Sequence, residues 1–316
     1  MALIDQLNIT NCSVADLIGS GQVGCKFDFK NLKDLRFWKK GTVTASTDTY
    51  NKAYLRTQQQ AGNMIPVQDL YDFTWTDPTD EVETAEATGL EGTTRKGLYG
   101  LTAMWRKGLY QQRILEALEG DDIWDVQLVD DEGNELWSET SSGGARGFST
   151  SRVSVMGISF NKGGTSQKTS ISIQFSNSLQ FNRNLAWIAA ENLDYFRDEI
   201  TGANQVSVTV PTAPSDTDTT FAAKTLLARG GAFVSGLTDL ANWIVKVNGA
   251  TVTPTGTAVA DSDAKTYTFT VSALSTSDVV TVALYDSVAA SSTIILNPGT
   301  DDVLYKSSTG TTTVVA

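Results

Sequence analysis

The 316-residue sequence has no histidine. This removes the commonest general base and the commonest metal ligand together. Cys12 and Cys25 are its only thiols. Two thiols without histidine cannot close a zinc site, so any metal would fall to carboxylates alone. The stretch from Met1 to Asn8 lacks a basic region followed by an apolar run, so no secretory signal is expected, and two reduced thiols are favoured over a disulfide. No apolar run approaches the roughly 20 residues of a membrane span. Cations are the minority charge, 24 Lys and Arg against 36 Asp and Glu, for a formal net charge of −12. Such a chain is not expected to grip nucleic acid by neutralising phosphates, which needs clustered Lys and Arg. It could still surround DNA without gripping it.

Glutamate is also missing from the last third. It is frequent up to Glu199 and absent afterwards, while tryptophan falls from six residues to Trp243 alone and Thr, Ser, Ala and Val take over. A shift that abrupt predicts a domain boundary with Thr201-Gly-Ala-Asn204 as linker, giving domains 1–202 and 203–316.

The strongest strand signals lie between Asp121 and Asn182. Asp125–Asp130 and Glu135–Ser138 read as a hairpin around Asp131-Glu-Gly-Asn134, with Gly133 and Asn134 supplying positive φ. Arg152–Val155 and Gly157–Phe160 flank an alternation slip at Met156-Gly157, the mark of a β-bulge. Asn161–Thr165 makes the next turn, and Thr169–Phe175 follows with Ile171, Ile173 and Phe175 on one face. The whole reads as an antiparallel meander with one buried face.

Elsewhere in the first domain, Lys26–Lys30 alternates like a strand. Lys30, Lys33, Arg36, Lys39 and Lys40 form a basic run, bland as a solvated face or loop, sharper as one side of an inter-subunit contact. Residues 41–60 read as a long loop or hairpin arm. Val67–Trp75 reads as one strand with Tyr71, Phe73 and Trp75 in phase. Asp77, Asp80, Glu81, Glu83, Glu86 and Glu91 form an acidic segment with no interspersed base. Its spacing lacks the calcium-loop pattern, so it is read as solvated, lumen-facing or partner-facing, with no metal and no cofactor assigned. Tyr110–Glu119 is the best helix, stopped by Gly120. A second helix is predicted over Leu185–Phe196, from the shared face of Leu185, Ile188, Asn192 and Tyr195.

In the second domain, Gln205–Pro211, Lys265–Val271, Asp278–Tyr285 and Thr293–Leu296 read as short strands. Trp243–Thr253 carries a hairpin at Asn248-Gly249. Short strands at close spacing without a clear helix fit an immunoglobulin-like sandwich.

The segments Asp125–Asn134, Arg146-Gly-Phe148, Ile171–Phe175 and Phe181-Asn182, with the helix before them, resemble a phage tail tube protein over roughly residues 20–190. The resemblance implies a mainly β chain: an antiparallel sandwich or barrel with a flanking helix, followed by an appended immunoglobulin-like domain. It also implies a non-enzymatic virion protein of the phage tail, made in the host cytoplasm. Six copies would close into a ring, rings would stack into a tube beside other tail proteins, and DNA would pass through without specific binding. An acidic bore would repel phosphates and keep that transit smooth. Residues 25–75 depart from the tube pattern. A capsid or head–tail connector protein shares nearly every compositional feature. A glycan-binding or glycan-hydrolysing protein is the remaining alternative: no carboxylate pair stands out for hydrolysis, and Trp105, Trp124 and Trp137 are better read as core or interface aromatics than as a sugar platform.

Overall fold

Residues 30–40 are not the loop or solvated face that their charge implies. Leu32–Lys39 is a strand, buried except at Lys33 and Lys39. Leu35, Phe37 and Trp38 outweigh the five cations of the run, because burying each is worth about 1.5–3 kcal/mol, while Lys30, Lys39 and Lys40 stay exposed and the buried Arg36 is paired with Glu135. The computed structural model describes residues 2–3, 7–9, 30–84, 91–95, 97–106, 109–160, 167–228, 230–286, 294–296 and 303–316. Cys12, Cys25, Glu86, the strand expected over Lys26–Lys30 (save Lys30) and the turn at Asn161–Thr165 lie outside them. The chain divides into two compact units, Met1–Ile200 and Thr201–Ala316, with Gln59–Ala61 grouped with the second.

The strands of the first unit are β1 (Leu7–Ile9), β2 (Leu32–Lys39), β3 (Met64–Val67), β4 (Asp72–Thr76), β5 (Glu81–Thr84), β6 (Glu91–Arg95) and β7 (Gly100–Trp105). They continue with β8 (Gly120–Asp121), β9 (Trp124–Asp130), β10 (Glu135–Glu139), β11 (Ala145–Arg146), β12 (Phe148–Ser159), β13 (Lys168–Phe175) and β14 (Leu185–Ile188). Among the described residues its helices are α1 (Lys52–Gln60), α2 (Leu109–Glu116) and the single turn α3 (Leu179–Asn182). Twelve strands form one curled antiparallel sheet in the order β1-β14-β10-β9-β12-β13-β7-β4, with β2 on the free edge of β9 and β3 beyond it. β5 and β6 pair with each other.

Four expectations are corrected. Residues 41–60 contain α1, whose start is capped by Asn51: its Oδ1 accepts from Tyr54 N at 2.8 Å. The apolar stripe is thin because the helix buries Arg56 and Gln59 beside Leu55, so hydrophobic period could not reveal it. Leu185–Phe196 is not a helix. Leu185–Ile188 is a strand filling the slot between β10 and β1, and two 3₁₀ turns follow; two open ladders outweighed a weak helical period. Val67–Trp75 is not one strand, because Asp69 takes φ +60° and sends β3 and β4 to different parts of the sheet. Gly133 has φ +92°, but Asn134 is not left-handed. Asn134 instead donates from N and Nδ2 to the Asp130 carboxylate, each at 2.8 Å.

The Asp125–Asp130 and Glu135–Ser138 hairpin, the helix at 109–116 and the strand with Ile171, Ile173 and Phe175 buried on one face are all present. The bulge falls between Met156 and Ser159. The single buried face holds for only part of the sheet. Leu35, Phe37, Val126, Leu128 and Leu136 point into the core inside the curl. Trp38, Trp137, Ala186 and Ile188 point the other way, into a second core closed by Leu3, Tyr50, Leu55, Tyr195 and Ile200. β9 is thus buried on both sides.

Between these layers the chain makes close approaches that only glycine permits. A Cβ on Gly147 would lie 2.8 Å from both Asp125 C and Val126 N. These are backbone atoms of the central strand and cannot swing aside. Gly147→Ala is therefore expected to lower the unfolding free energy of the first unit by about 1–3 kcal/mol, read by urea denaturation; an unchanged midpoint would refute the crowding.

The second unit has β15 (Asn204–Thr209), β16 (Thr220–Leu227), β17 (Trp243–Val247), β18 (Ala250–Val252), β19 (Thr255–Asp261), β20 (Thr266–Thr270), β21 (Val279–Leu284), β22 (Ile294–Leu296), β23 (Leu304–Ser307) and β24 (Gly310–Thr313). One sheet runs β19-β20-β16-β15-β23-β22 and the other β18-β17-β21-β24. Val206, Phe221, Tyr267 and Phe269 of the first meet Trp243, Val245, Val280 and Val282 of the second in one core, so the unit is a two-sheet β-sandwich. The hairpin at Asn248-Gly249 is present, with φ +51° and +81°, the double positive φ of a type I′ turn.

Candidate functional site

Three polar features of the first unit could carry function. The first is a closed network on the outer face of the central strands. Arg36 of β2, Gln127 of β9 and Glu135 of β10 share that face by alternation with Phe37, Val126 and Leu136. The Glu135 carboxylate is 0% exposed and Arg36 is 2% exposed. Arg36 Nη1 donates to Glu135 Oε1 in a short ion pair. Tyr195 donates to Oε1 at 2.6 Å, Tyr50 to Oε2 at 2.5 Å and Gln127 Nε2 to Oε2 at 2.7 Å. Trp38 Nε1 donates to Gln127 Oε1 at 3.0 Å. Burial, joined by the Glu135 charge, pushes the Tyr50 and Tyr195 hydroxyls well above the usual tyrosine range. Burial pulls Arg36 down, but Glu135, Tyr195 and Tyr50 together more than offset it. The carboxylate is saturated with donors and closed to solvent, so this cluster ties the second layer to the sheet rather than acting on a substrate.

The second feature is an open hollow of about 720 Å³ between the 131–133 turn and residues 190–198. Asp131, Glu132, Glu191, Asp194 and Asp198 line it, with Arg197. Several of these acids already have local partners. Asp131 accepts from Asn31 Nδ2, Asp194 caps the Lys52 N–H, and Glu132 lies 3.7 Å from Lys30 Nζ. Arg197 is turned to Asp34, 3.1 Å away. Burial raises the Asp34 carboxyl against the pull of the Asp69 N–H and Arg197. Among the described residues no group of three or more His, Cys, Asp or Glu could hold a metal ion.

The third is the sheet portion β12-β13-β7-β4. Three rows cross it: Arg152, Gln174, Gly100, Thr76; then Ser154, Ser172, Thr102, Thr74; then Met156, Ser170, Met104, Asp72. The alternate rows, Val153, Ile173, Leu101, Trp75 and Val155, Ile171, Ala103, Phe73, pack into the core. The outward rows are half-buried or exposed, and they are mostly hydroxyls and amides. Among the described residues β4 pairs with β7 alone. Beyond Val153, where β8 pairs with it, β12 pairs with β13 alone. Gln112 of α2 donates to Met156 O at 3.2 Å, meeting one carbonyl of β12.

The structure scatters the sequence-derived basic patch. Arg36 is inside the network and unavailable to any partner. Lys33 is half-buried, its Nζ on Leu70 O. Lys30 and Lys40 face Glu132 and Asp122, and Lys39 is exposed. Asp77 and Asp80 are exposed, while Glu81, Glu83 and Glu91 fall on β5 and β6. Trp105 and Trp137 are fully buried, and Trp124 is half-buried with Nε1 on Leu118 O, so these three form no sugar platform. Sequence reasoning missed Glu135 as a centre. The available signal was a charged residue at a strand position flanked by Leu136 and Trp137.

No helix among the described residues is long and apolar enough to cross a membrane. The chain matches no protein-family model and no curated protein.

Proposed function

We propose that this chain is a structural subunit of a phage tail tube. Copies join side by side into rings, and the rings stack into a channel for DNA. The observation that carries this reading is the β12-β13-β7-β4 sheet: among the described residues β4 pairs with β7 alone and β12 beyond Val153 pairs with β13 alone, and the outer face is wet and hydroxyl-rich. An unpaired edge is a template for another strand. Two different edges on one subunit make a head-to-tail contact, which closes into a ring when the rotation per copy divides a full turn. The ring of six comes from the family resemblance. A face of Ser, Thr and Gln offers no dense cation cluster to hold phosphates, which suits a surface past which DNA slides. The buried Glu135 network supports the same reading, since it stiffens the sheet without presenting chemistry to solvent.

Negative-stain microscopy of the purified full-length protein tests it. Tubes or six-fold rings are the expected result. Shells or icosahedral fragments would move the chain to the capsid, and monomers at every concentration would refute assembly altogether.

A further inference from the structure

We infer that the two ends of this sheet are complementary, so that the β5–β6 ribbon of one copy seats on the Tyr71–Arg106–Lys168 cluster of a second copy stacked along the strand direction. This rests on the tube reading and names its stacking contact.

The ribbon continues the β4–β7 ladder. Thr76 faces Gly100 and Glu81 faces Arg95 in the same register, and the pairing slips by one residue from Val82 onward. The junction is held by Gly97 N–H donating to Asp80 Oδ1 at 2.7 Å. Past the junction, β5 and β6 pair with no other strand among the described residues. A lone two-stranded ribbon is marginal in water, so this one needs a surface to lie on. Asp77, Asp80, Glu81, Glu83 and Glu91 make it acidic, against Arg95.

The opposite end of the same strands carries cations. Arg106 follows β7, and Lys168 begins β13 beside it, since Thr169 faces Trp105. Arg106 Cζ lies 3.4 Å over the centroid of the Tyr71 ring, and Lys168 Nζ lies 5.4 Å from the same ring. Neither cation has a carboxylate in ion-pair range among the described residues. The ring holds the guanidinium in place, so less side-chain freedom is lost when an anion arrives. Tyr71 is 45% exposed, and Met156 and Phe160 are also exposed, leaving apolar surface beside the charge.

The 6-residue strand β7 separates the two ends, a span of about 20 Å. Shifting a copy along that axis brings its acidic ribbon to the cationic end of the copy before it. The contact joins unlike patches, so it repeats without limit and builds a stack. The occupant is a second copy because both halves of the contact sit on one chain, beyond opposite ends of the β4–β7 pair.

The test uses full-length protein with either end reversed: R106E with K168E, or D77K, E81K and E83K together, which leaves the Asp80 junction intact. Circular dichroism and thermal unfolding verify that each variant folds. Each alone should form rings that do not stack, with the concentration needed for tube growth by light scattering raised at least about tenfold. Mixing the two variants should restore growth. Stacking of either variant at the wild-type concentration overturns the inference and leaves the ring reading intact, as does failure of the mixture to recover. Stacked filaments without rings overturn the ring reading alone. A wild-type chain that stays monomeric overturns both.

Discussion

Glu135→Ala is expected to destabilise the first unit by about 3–5 kcal/mol, the cost of leaving a buried charge without its partner. The charge left behind is Arg36, which is 2% exposed and sits against the Tyr195 ring, 5.7 Å from its centroid. Tyr50, Tyr195 and Gln127 would lose their acceptor at the same time. In a unit of this size such a loss lowers the melting temperature by roughly 6–20 °C. The double variant Arg36→Met with Glu135→Leu should cost less than the two single changes added, because it removes both charges and leaves neither one orphaned. Urea unfolding at neutral pH of the wild type, Arg36→Met, Glu135→Leu and the double variant measures the cycle, with Glu135→Ala beside them. A Glu135→Ala loss under about 1 kcal/mol would mean that water reaches Arg36 and the cluster is not dry.

The second large effect is alkaline. Tyr50 and Tyr195 have hydroxyls held well above the ordinary tyrosine value of about 10, by burial first and the Glu135 charge next. Between pH 10 and their folded values the unfolded chain has released these protons and the folded chain keeps them. The folded state then binds more protons, so stability falls as pH rises. Their contribution is fully present below pH 10 and is lost above it, at up to about 1.4 kcal/mol per pH unit for each tyrosine. Chemical denaturation from pH 8 to 12 should show a level region and then a decline. Tyr50→Phe with Tyr195→Phe should start lower and decline less steeply. Parallel curves for the two proteins would place the alkaline titration elsewhere.

The sequence was most legible where one local cue settled the matter. Asn248-Gly249 could only turn, and it turns. Ile171, Ile173 and Phe175 alternate in the text and are buried together in the sheet. The helix expected over Tyr110–Glu119 is present over Leu109–Glu116, though it ends before Gly120, which begins β8. The loss of glutamate after Glu199 falls beside the division at Ile200 and Thr201.

Local cues failed where two distant segments competed for one place. The charges from Lys30 to Lys40 describe a solvated run, but Phe37 faces Val126 and Trp38 faces Asp125 across a ladder that joins residues about 90 apart. Leu185–Ile188 has a helical period and a strand's neighbours, and the neighbours prevailed. Glu135 looked like an ordinary acid at a turn until Arg36, Tyr50 and Tyr195 came to it from three other parts of the chain. By itself the sequence determined the β-rich character, the hairpins, the main helix and the compositional break, because turn geometry and side-chain alternation act over a few residues. Only the tertiary structure decided which cation is buried, which face of the sheet stays wet and which strand edges stay open. Those depend on contacts between segments far apart in the chain, and no local pattern encodes a partner's position.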